Sequence, residues 1–435
     1  MIYLSIPEYG RIKRSNISER LLRRLQRFDD SFSRAGSGNV FDWSHTHYVR
    51  ALNYVGVVQI PGLVIEILPK TDSSPDQDVE PYAPRDSRKT LSQRNLLYML
   101  SLTRRVPIRE RDLASLYLQK LPLLETLVLI FAERLWSELR KGLTRAYVYR
   151  EENAAFIKGK LLICEHIRRN SVDCGKVYVG YDEFISDTWL NRILKAACRK
   201  LINIVRLART QRRLRKAFLF FSEVTDCQIE SYHFDKISLN RNTERFSSLL
   251  DFCRIVLTQS APTPSLGGTN TFSMLFPMEV LFEEFIARFI RHYADDLGLS
   301  RHAVRIQASK RRKWLLRAPD GAGKFRLRPD IVIDGPESTA AMIIDTKWKR
   351  LLSDKEDAKN GVSQADLYQL YAYATRYESP DSILLYPKVQ GVSPKIYYLE
   401  GDTSKRIRTE HVDLGRDLFK EKESFKGDLR RVLTV

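Results

Sequence analysis

The segment FRLRPDIVIDGPESTAAMIIDTK, residues 325–347, contains two short apolar runs rich in β-branched residues. The first run covers residues 331–333 and the second covers residues 342–344. An Asp-Gly-Pro turn signal at residues 334–336 separates them. Two such runs on either side of a turn predict a β-hairpin.

Charged residues stand at the ends of this predicted hairpin. Asp330 precedes the first apolar run and Asp345 ends the second, so antiparallel pairing should bring their carboxylates together at one end of the sheet. Lys347 follows on the same face as Asp345. Clustered carboxylates repel each other unless a cation is bound, and hard oxygen ligands suit Mg²⁺. The arrangement predicts a site that cleaves phosphodiesters.

The same residues resemble a known nuclease motif. Pro-Asp at residues 329–330 and Asp-Thr-Lys at residues 345–347 resemble the core of the PD-(D/E)xK superfamily. The following segment, residues 364–377, predicts a helix on which Gln369 and Tyr373 share a face. This pair resembles the Q-x-x-x-Y element of one branch of the superfamily. The alternative interpretation is a surface ion cluster beside a core tyrosine.

The resemblance implies a role for each residue. Mg²⁺ would be held by Asp330, Asp345 and the backbone carbonyl of Thr346, where it would lower the pKa of its bound water. Lys347 would orient the attacking water and stabilise developing charge. The helical pair Gln369 and Tyr373 would position the DNA backbone or the lysine.

A further acid is expected from the helix predicted at residues 278–293. Its apolar residues fall on one face, and this face should cover the sheet; they are Leu281, Phe282, Phe285, Ile286, Phe289 and Ile290. The helical wheel places Glu279 nearer this face, whereas the superfamily resemblance favours Glu283. We predict that Glu283 joins the catalytic set.

The net charge of +19 and the pI near 9.6 favour a polyanionic partner, and nucleic acid is the leading candidate. Near the predicted site, the DNA-contacting residues are expected to be Lys310, Arg311, Arg312 and Lys313. Residues 199–216 contain eight Lys or Arg and no acid, and we expect phosphate contacts from Arg212, Arg213 and Arg215. A solvated helix face is the alternative for this second set. A membrane surface is disfavoured because the basic residues are spread over segments that appear folded.

The length of 435 residues predicts about three domains, and the predicted strands and helices together indicate a mixed α/β fold. Residues 1–88 are expected to form a β-rich partner-docking region that ends in a loop. Residues 89–260 should form a helical, mixed middle domain. Residues 261–435 should form a PD-(D/E)xK nuclease domain with a central mixed sheet flanked by helices, and a Pro- and Gly-containing linker at residues 260–270 stands at its start.

Apolar runs are too short to span a bilayer, and the first residues contain no apolar signal region, so we expect a cytoplasmic protein without a membrane partner. Five cysteines without a C-x-x-C pair argue against a disulfide framework and a structural zinc site. They should be reduced thiols.

Four groups of residues together resemble the McrC family, the nuclease subunits of McrBC modification-dependent restriction systems. They are residues 54–70, residues 150–161, residues 278–286, and the C-terminal RPD, DTKWK and DLYQLYAYA blocks. The resemblance implies an endonuclease that cleaves modified DNA and stimulates its partner, a hexameric AAA+ GTPase of the McrB type. The chain is somewhat long for this family, and residues 71–88 would be an insertion.

The chain itself contains no nucleotide-binding loop. Gly321-Ala-Gly-Lys324 lacks the G-x-x-x-x-G-K-[ST] spacing and predicts a turn between strands. Motor activity must therefore come from another chain. Two other functions remain open at this point, namely a repair or recombination nuclease that acts without an AAA+ ring and a non-catalytic DNA-binding adaptor.

Overall fold

The computed structural model describes residues 1–70, 87–110, 112–114, 121–172, 175–258, 271–307, 312–335, 339–352, 357, 359 and 361–434. Within them the strands are β1 (Ile2–Pro7), β2 (Arg11–Lys13), β3 (Phe41–Asp42), β4 (Tyr48–Ala51), β5 (Tyr54–Ile60), β6 (Leu63–Leu68), β7 (Ala146–Ala154), β8 (Lys160–Leu161), β9 (Val177–Ile185), β10 (Phe272–Pro277), β11 (Val304–Ile306), β12 (Lys313–Arg317), β13 (Gly323–Leu327), β14 (Ile331–Asp334), β15 (Ala340–Thr346), β16 (Asp381–Pro387), β17 (Lys395–Leu399) and β18 (Asp402–Val412). The α-helices are α1 (Glu19–Phe32), α2 (Ser87–Thr103), α3 (Leu123–Leu139), α4 (Ile163–Asn170), α5 (Trp189–Ile204), α6 (Ala208–Phe218), α7 (Ser231–Asp235), α8 (Ser247–Thr258), α9 (Met278–His292), α10 (Gln364–Tyr377) and α11 (Lys422–Leu433).

The described residues form two compact units. The first unit contains residues of 1–123 and 261–435, and the second unit contains residues of 124–260. This division differs from the three consecutive domains predicted from the sequence. Residues 1–88 and 261–435 share one unit because β10 pairs with β5 along its whole length. Local periodicity carries no information about a pairing so distant in sequence.

A four-stranded sheet in the first unit has the order β1-β6-β5-β10. β1 is parallel to β6, and the other neighbours are antiparallel. β5 and β6 form a hairpin, and its Pro61-Gly62 turn places Gly62 at φ +97°, a conformation that favours glycine. The apolar face of α1 packs against this sheet and completes one hydrophobic core.

A six-stranded sheet in the first unit has the order β11-β14-β15-β16-β18-β17. The predicted hairpin is confirmed, since β14 and β15 pair antiparallel with Ile331 opposite Ile344. β15, β16 and β18 are parallel, whereas β11 and β17 are antiparallel edge strands. The sheet is therefore mixed, as predicted. The core between this sheet and α10 includes Val332, Ile343 and Leu370.

The helix predicted to cover the sheet is α9. Its six predicted apolar residues are all buried, and the helix contacts α2, β10, β11 and β15. Tyr98 of α2 meets Phe285 of α9 with ring centroids 6.0 Å apart. Arg105 donates two hydrogen bonds to Glu284, at 2.8 and 2.7 Å. Residues 89–123, predicted as part of the middle domain, are therefore packed within the first unit.

The second unit combines helices with a small sheet of order β7-β9-β8. α5 begins after Thr188, whose Oγ1 accepts a hydrogen bond from the backbone N–H of Asn191 at 3.3 Å. Asp187 and Thr188 both precede this helix and have side-chain oxygens that could cap it. Asp187 instead pairs with Arg192 at 2.6 Å.

Several sequence predictions fall outside the described residues, namely those for the loop at 71–86, for the linker at 261–270, and for Cys174, Lys310 and Arg311. The four described cysteines, Cys164, Cys198, Cys227 and Cys253, are free thiols, in agreement with the prediction. Among the helices that the structure describes, none has the length and apolar character needed to cross a membrane.

Candidate active site

The two predicted metal-binding aspartates lie at the same end of the β14–β15 hairpin. Asp330 immediately precedes β14, and Asp345 is the penultimate residue of β15. The backbone N–H and the Oγ1 hydroxyl of Thr346 both donate to Asp330 Oδ2, each at 2.7 Å. Asp345 is only 2% exposed. The register of the hairpin thus brings the two carboxylates together, as the sequence predicted.

The surroundings of these two aspartates disfavour negative charge and so raise their pKa values. Burial raises the pKa of Asp330, and repulsion from Asp345 and Glu283 raises it further, although the hydrogen bonds from Thr346 oppose this. Burial also raises the pKa of Asp345, against the opposing effect of Lys347. A cation between the carboxylates would remove this cost. The structure therefore fits a bound divalent metal.

The oxygen donors suit Mg²⁺. They are the carboxylates of Asp330 and Asp345 and the backbone carbonyl of Thr346, and Mg²⁺ usually binds one or two carboxylates while keeping several waters. Across the described residues, no group of three or more His, Cys, Asp or Glu side chains is placed to enclose an ion.

Lys347 connects the acidic cluster to α10. Its Nζ lies 2.7 Å from Asp345 Oδ2 and donates to Gln369 Oε1 at 3.0 Å. Gln369 Nε2 in turn lies 2.7 Å from the hydroxyl of Tyr373. Burial acts to lower the pKa of Lys347, but Asp345 and then Asp366 raise it, with a net increase. Hydrogen bonds thus connect Lys347 to Gln369 and Gln369 to Tyr373. The raised pKa keeps Lys347 in its charged form.

Sequence reasoning missed Asp366 and Lys349. Asp366 Oδ1 lies 3.8 Å from Lys347 Nζ, and Asp366 Oδ2 lies 2.7 Å from Lys349 Nζ. Asp366 is buried in the first turn of α10, three residues before Gln369 and so on the same helix face. This three-residue spacing from Gln369 was the sequence signal that could have identified Asp366. Asp366 therefore adds a second carboxylate near the charged end of Lys347.

The structure brings Glu283, and not Glu279, to Asp330. Glu283 raises the pKa of Asp330, and Glu283 Oε1 accepts a hydrogen bond from Gln307 Nε2 at 3.0 Å. The backbone N–H of Gln307 donates to the carbonyl of Asp330 at 2.7 Å. Glu279 lies one turn earlier on α9 and lines a separate cavity. The geometry agrees with the superfamily pattern and not with the helical wheel.

The predicted DNA-contacting residues are divided between the units. In the first unit, Arg312 is exposed, and Lys313 places its Nζ 5.3 Å from the ring centroid of Tyr377. In the second unit, Arg212 and Arg215 are exposed on α6, and Arg213 is half-buried. The arginines of α6 present charge to solvent. This exposure is consistent with contacts to phosphate and equally with a solvated helix face.

The string at residues 321–324 lies at the turn between β12 and β13. Gly321 has φ +80°, and its N–H donates to the carbonyl of Ala318 at 2.9 Å. The predicted turn is confirmed, and the strand-to-helix context of a phosphate-binding loop is absent from these residues.

Comparison with known proteins identifies similar folds and sequences. The chain resembles the structure of McrC bound to McrB AAA+ hexamers of Thermococcus gammatolerans, with a TM-score of 0.68 and 20% identity over 99% of this chain and 100% of that chain. A cryo-EM structure of the Thermococcus gammatolerans McrBC complex matches with a TM-score of 0.52 and 22% identity over 66% of this chain and 87% of that chain. These matches show a shared fold.

The sequence comparisons point in the same direction. The Type IV methyl-directed restriction enzyme EcoKMcrBC of Escherichia coli K12 is 23% identical over 271 residues, which cover 60% of this chain and 76% of that protein. The model of the family described as McrBC 5-methylcytosine restriction system component matches residues 49–387. This match includes both aspartates, the lysine and α10 of the candidate site. The family resemblance predicted from the sequence is thereby confirmed, and the chain belongs to the McrBC 5-methylcytosine restriction system component family.

Proposed function

We propose that this chain is the Mg²⁺-dependent DNA endonuclease subunit of a McrBC-type restriction complex that acts on modified DNA in the cytoplasm. The observation that carries the proposal is the convergence of Asp330, Asp345 and Lys347 at one end of the β14–β15 hairpin. A bound cation would stabilise the charged form of these two buried carboxylates, whose pKa values are raised, and a charged lysine beside them suits a reaction at a phosphate.

Each residue of the site has a distinct role in this proposal. Asp330, Asp345 and the carbonyl of Thr346 would hold the metal, and the hydrogen bonds from Thr346 fix one oxygen of Asp330. When bound, Mg²⁺ would supply an activated water and neutralise charge on the phosphate. Lys347, held between Asp345 and Gln369, would orient the attacking water and stabilise negative charge as it develops.

Residues around this set keep its charges in place. Tyr373 is buried against the sheet and fixes the amide of Gln369, which leaves the amide oxygen to accept from Lys347. Glu283 approaches from α9 and adds a third carboxylate near Asp330. The arginines of α6 and the basic residues at 310–313 provide the proposed contacts to DNA phosphates.

The proposed partner is a hexameric AAA+ GTPase ring. The sequence contains no phosphate-binding loop, and the similar McrC of Thermococcus gammatolerans is bound to McrB AAA+ hexamers. The paired strands β7 and β9 of the second unit present apolar side chains to solvent, including Tyr147, Tyr149 and Phe184. Exposed apolar patches of this kind mark protein interaction sites. We assign ring docking and stimulation of nucleotide hydrolysis to this strand pair, which revises the docking region expected at residues 1–88.

Two single substitutions test the catalytic assignment. Asp345→Ala removes a metal ligand and Lys347→Ala removes the charge beside it, so each should lower Mg²⁺-dependent cleavage of methylated plasmid by about 100-fold or more. Cleavage should be assayed with the partner ring present, and binding to the ring should be retained.

The matched controls are Asp402→Ala and Lys405→Ala. These residues form a comparable ion pair at 2.7 Å on β18, outside the candidate site. Both controls should cleave as the unchanged protein does. Undiminished cleavage by Asp345→Ala and Lys347→Ala would show that the site has been misassigned.

A further inference from the structure

A cavity of about 430 Å³ lies in the first unit, outside the candidate active site. Its lining includes five cationic side chains, Arg50, Lys70, Lys349, Arg350 and Lys388. Two carboxylates, Glu8 and Glu279, also line it. Cations therefore outnumber acids, and Lys349 is partly neutralised by Asp366 at 2.7 Å. A lining richer in cations than in acids suits an anion.

Two chain segments connect this cavity to the candidate active site. Lys349 and Arg350 follow Lys347 by two and three residues. Glu279 precedes Glu283 by one turn of α9, or about 6 Å along the helix axis. These two segments make the cavity and the site neighbours.

The sheet topology also places both at the same edge. Lys388 follows the last residue of β16, and β16 is the parallel neighbour of β15, which carries Asp345. The cavity thus opens at the carboxyl ends of parallel strands, where ligands bind in α/β sheets.

The wall formed by the N-terminal strands is held firmly against the catalytic segment. Glu8 is 1% exposed, and its Oε1 and Oε2 accept from Trp348 Nε1 at 3.0 and 2.9 Å. Glu8 Oε1 also accepts from the backbone N–H of Lys70 at 2.9 Å. Trp348 directly follows Lys347, so the end of β1 is tied to the residue next to the catalytic lysine.

Arg50 is oriented by its own neighbours. Its Nε donates to the carbonyl of Tyr9 at 3.3 Å, and its guanidinium carbon lies 5.4 Å from the ring centroid of Tyr9. Arginine held in this way is preorganised for phosphate, because less side-chain freedom is lost on binding. Lys388 faces the same cavity from an exposed position after β16.

We propose that this cavity binds a phosphate of the DNA strand next to the scissile phosphodiester, with Arg50 and Lys388 as its main contacts. Successive phosphates of one strand rise only about 3.4 Å along the duplex axis, so a strand placed at Asp330 and Asp345 carries further phosphates past neighbouring cations. The inference rests on the proposed nuclease function, and it gives residues of the N-terminal strands a direct part in holding the substrate.

The test is the salt dependence of DNA binding by the full chain, measured by fluorescence anisotropy with a 20-base-pair duplex in EDTA, so that no cleavage occurs. Each phosphate contact contributes about 0.9 to the slope of log K against log salt. Arg50→Ala and Lys388→Ala should each reduce its magnitude by about 0.9, and the double variant by about 1.8. Arg50→Lys keeps the charge and should retain most of the slope.

The control is the double variant Arg430→Ala/Arg431→Ala, which removes two exposed charges from α11 outside the cavity. Its slope should not change. An unchanged slope in Arg50→Ala/Lys388→Ala, or an equal reduction in the control, would overturn the inference. If Arg50→Ala fails to fold, Lys388→Ala alone decides the matter, since its side chain is exposed. Loss of ring binding with an unchanged DNA slope would also overturn it, in favour of an acidic protein segment.

Cleavage and salt-dependence measurements on the same variants distinguish a failure of this inference from a failure of the proposed function. If Asp345→Ala abolishes cleavage while the cavity variants keep the full slope, the nuclease assignment stands and the phosphate subsite is wrong. If the cavity variants lose slope but the unchanged protein does not cleave DNA with Mg²⁺ and the ring, the subsite stands and the nuclease assignment fails.

Discussion

Glu8 is a buried acid that no sequence pattern distinguished. Burial raises the pKa of its carboxyl from 4.5 to about 7; the hydrogen bonds from Lys70 and Trp348 oppose the shift, and nearby Glu279 adds to it. The folded protein therefore binds a proton at Glu8 more tightly than the unfolded chain does. Stability from this proton is present in full below pH 4.5 and is lost as the pH rises through about 7.

Glu8→Gln should remove this pH dependence. Glutamine keeps an oxygen that accepts from Trp348 and cannot ionise, so the variant should lose less stability than the unchanged protein between pH 5 and pH 8. From the size of the pKa shift, the losses of unfolding free energy in the two proteins should differ by up to about 3 kcal/mol. Urea unfolding at the two pH values measures it, with the exposed Glu423→Gln as control. Equal pH dependence in both proteins would show that Glu8 ionises normally.

At the scale of elements, strand β7 is exposed along its length where it pairs with β9. Its nine residue pairs run from Ala146 opposite Ile185 to Ala154 opposite Val177, and no residue of β7 is buried. Tyr147 and Phe184 are 73% and 51% exposed, with ring centroids 4.7 Å apart. A narrow ribbon gains little stability from apolar side chains left in water, which supports their role in contact with a partner.

Truncating that aromatic pair should weaken docking of the AAA+ ring. Interface aromatics commonly contribute more than 1 kcal/mol each, so Tyr147→Ala/Phe184→Ala should bind the ring at least about 10-fold more weakly. GTP and ATP turnover by the ring, titrated with each variant, measures the effect. Tyr397→Ala/Tyr398→Ala removes two exposed aromatics from β17 in the other unit and should stimulate the ring fully. Equal stimulation by both variants would place docking elsewhere.

At the scale of the whole molecule, the unit that holds the candidate site is discontinuous in sequence. β10 pairs with β5 from Phe272 opposite Gln59 to Pro277 opposite Tyr54, and Met278 N–H donates to the carbonyl of Asn53 at 2.8 Å. Asn95 Nδ2 donates to the carbonyl of Leu414 at 3.0 Å. The C-terminal segment that carries the candidate site therefore depends on the first 123 residues for much of its core.

Residues 271–434 expressed alone should not fold cooperatively, because the buried residues of β10 would lose their partner strand. Joining residue 123 to residue 271 through a Gly/Ser linker, with residues 124–270 deleted, should instead give a folded unit. It should keep the DNA affinity of the cavity but fail to stimulate the ring. Circular dichroism with thermal melting tests both chains. Cooperative melting of 271–434 would contradict this dependence.

Much of the candidate site could be predicted from the sequence because its signals are local. Asp330, Asp345 and Lys347 belong to one hairpin, and Gln369 and Tyr373 share one helix face. The unpredicted features join distant residues. The hydrogen bond between Glu8 and Trp348 spans 340 positions, and the β5–β10 pairing spans most of the middle of the chain. Strand periodicity shows which residues are buried but not which strand lies beside them.

The pairing of β10 with β5 also affects how the protein is made. A ribosome adding about 5–20 residues per second reaches β10 roughly 200 residues after β5, so the nascent chain carries the edge of β5 without its neighbour for about 10–40 s. Unpaired, apolar strand edges recruit other chains. The soluble yield should therefore depend on the rate of translation and on chaperones that protect the nascent chain. The candidate site, which lies beside the Trp348 bonded to Glu8, is completed only when most of the chain has emerged.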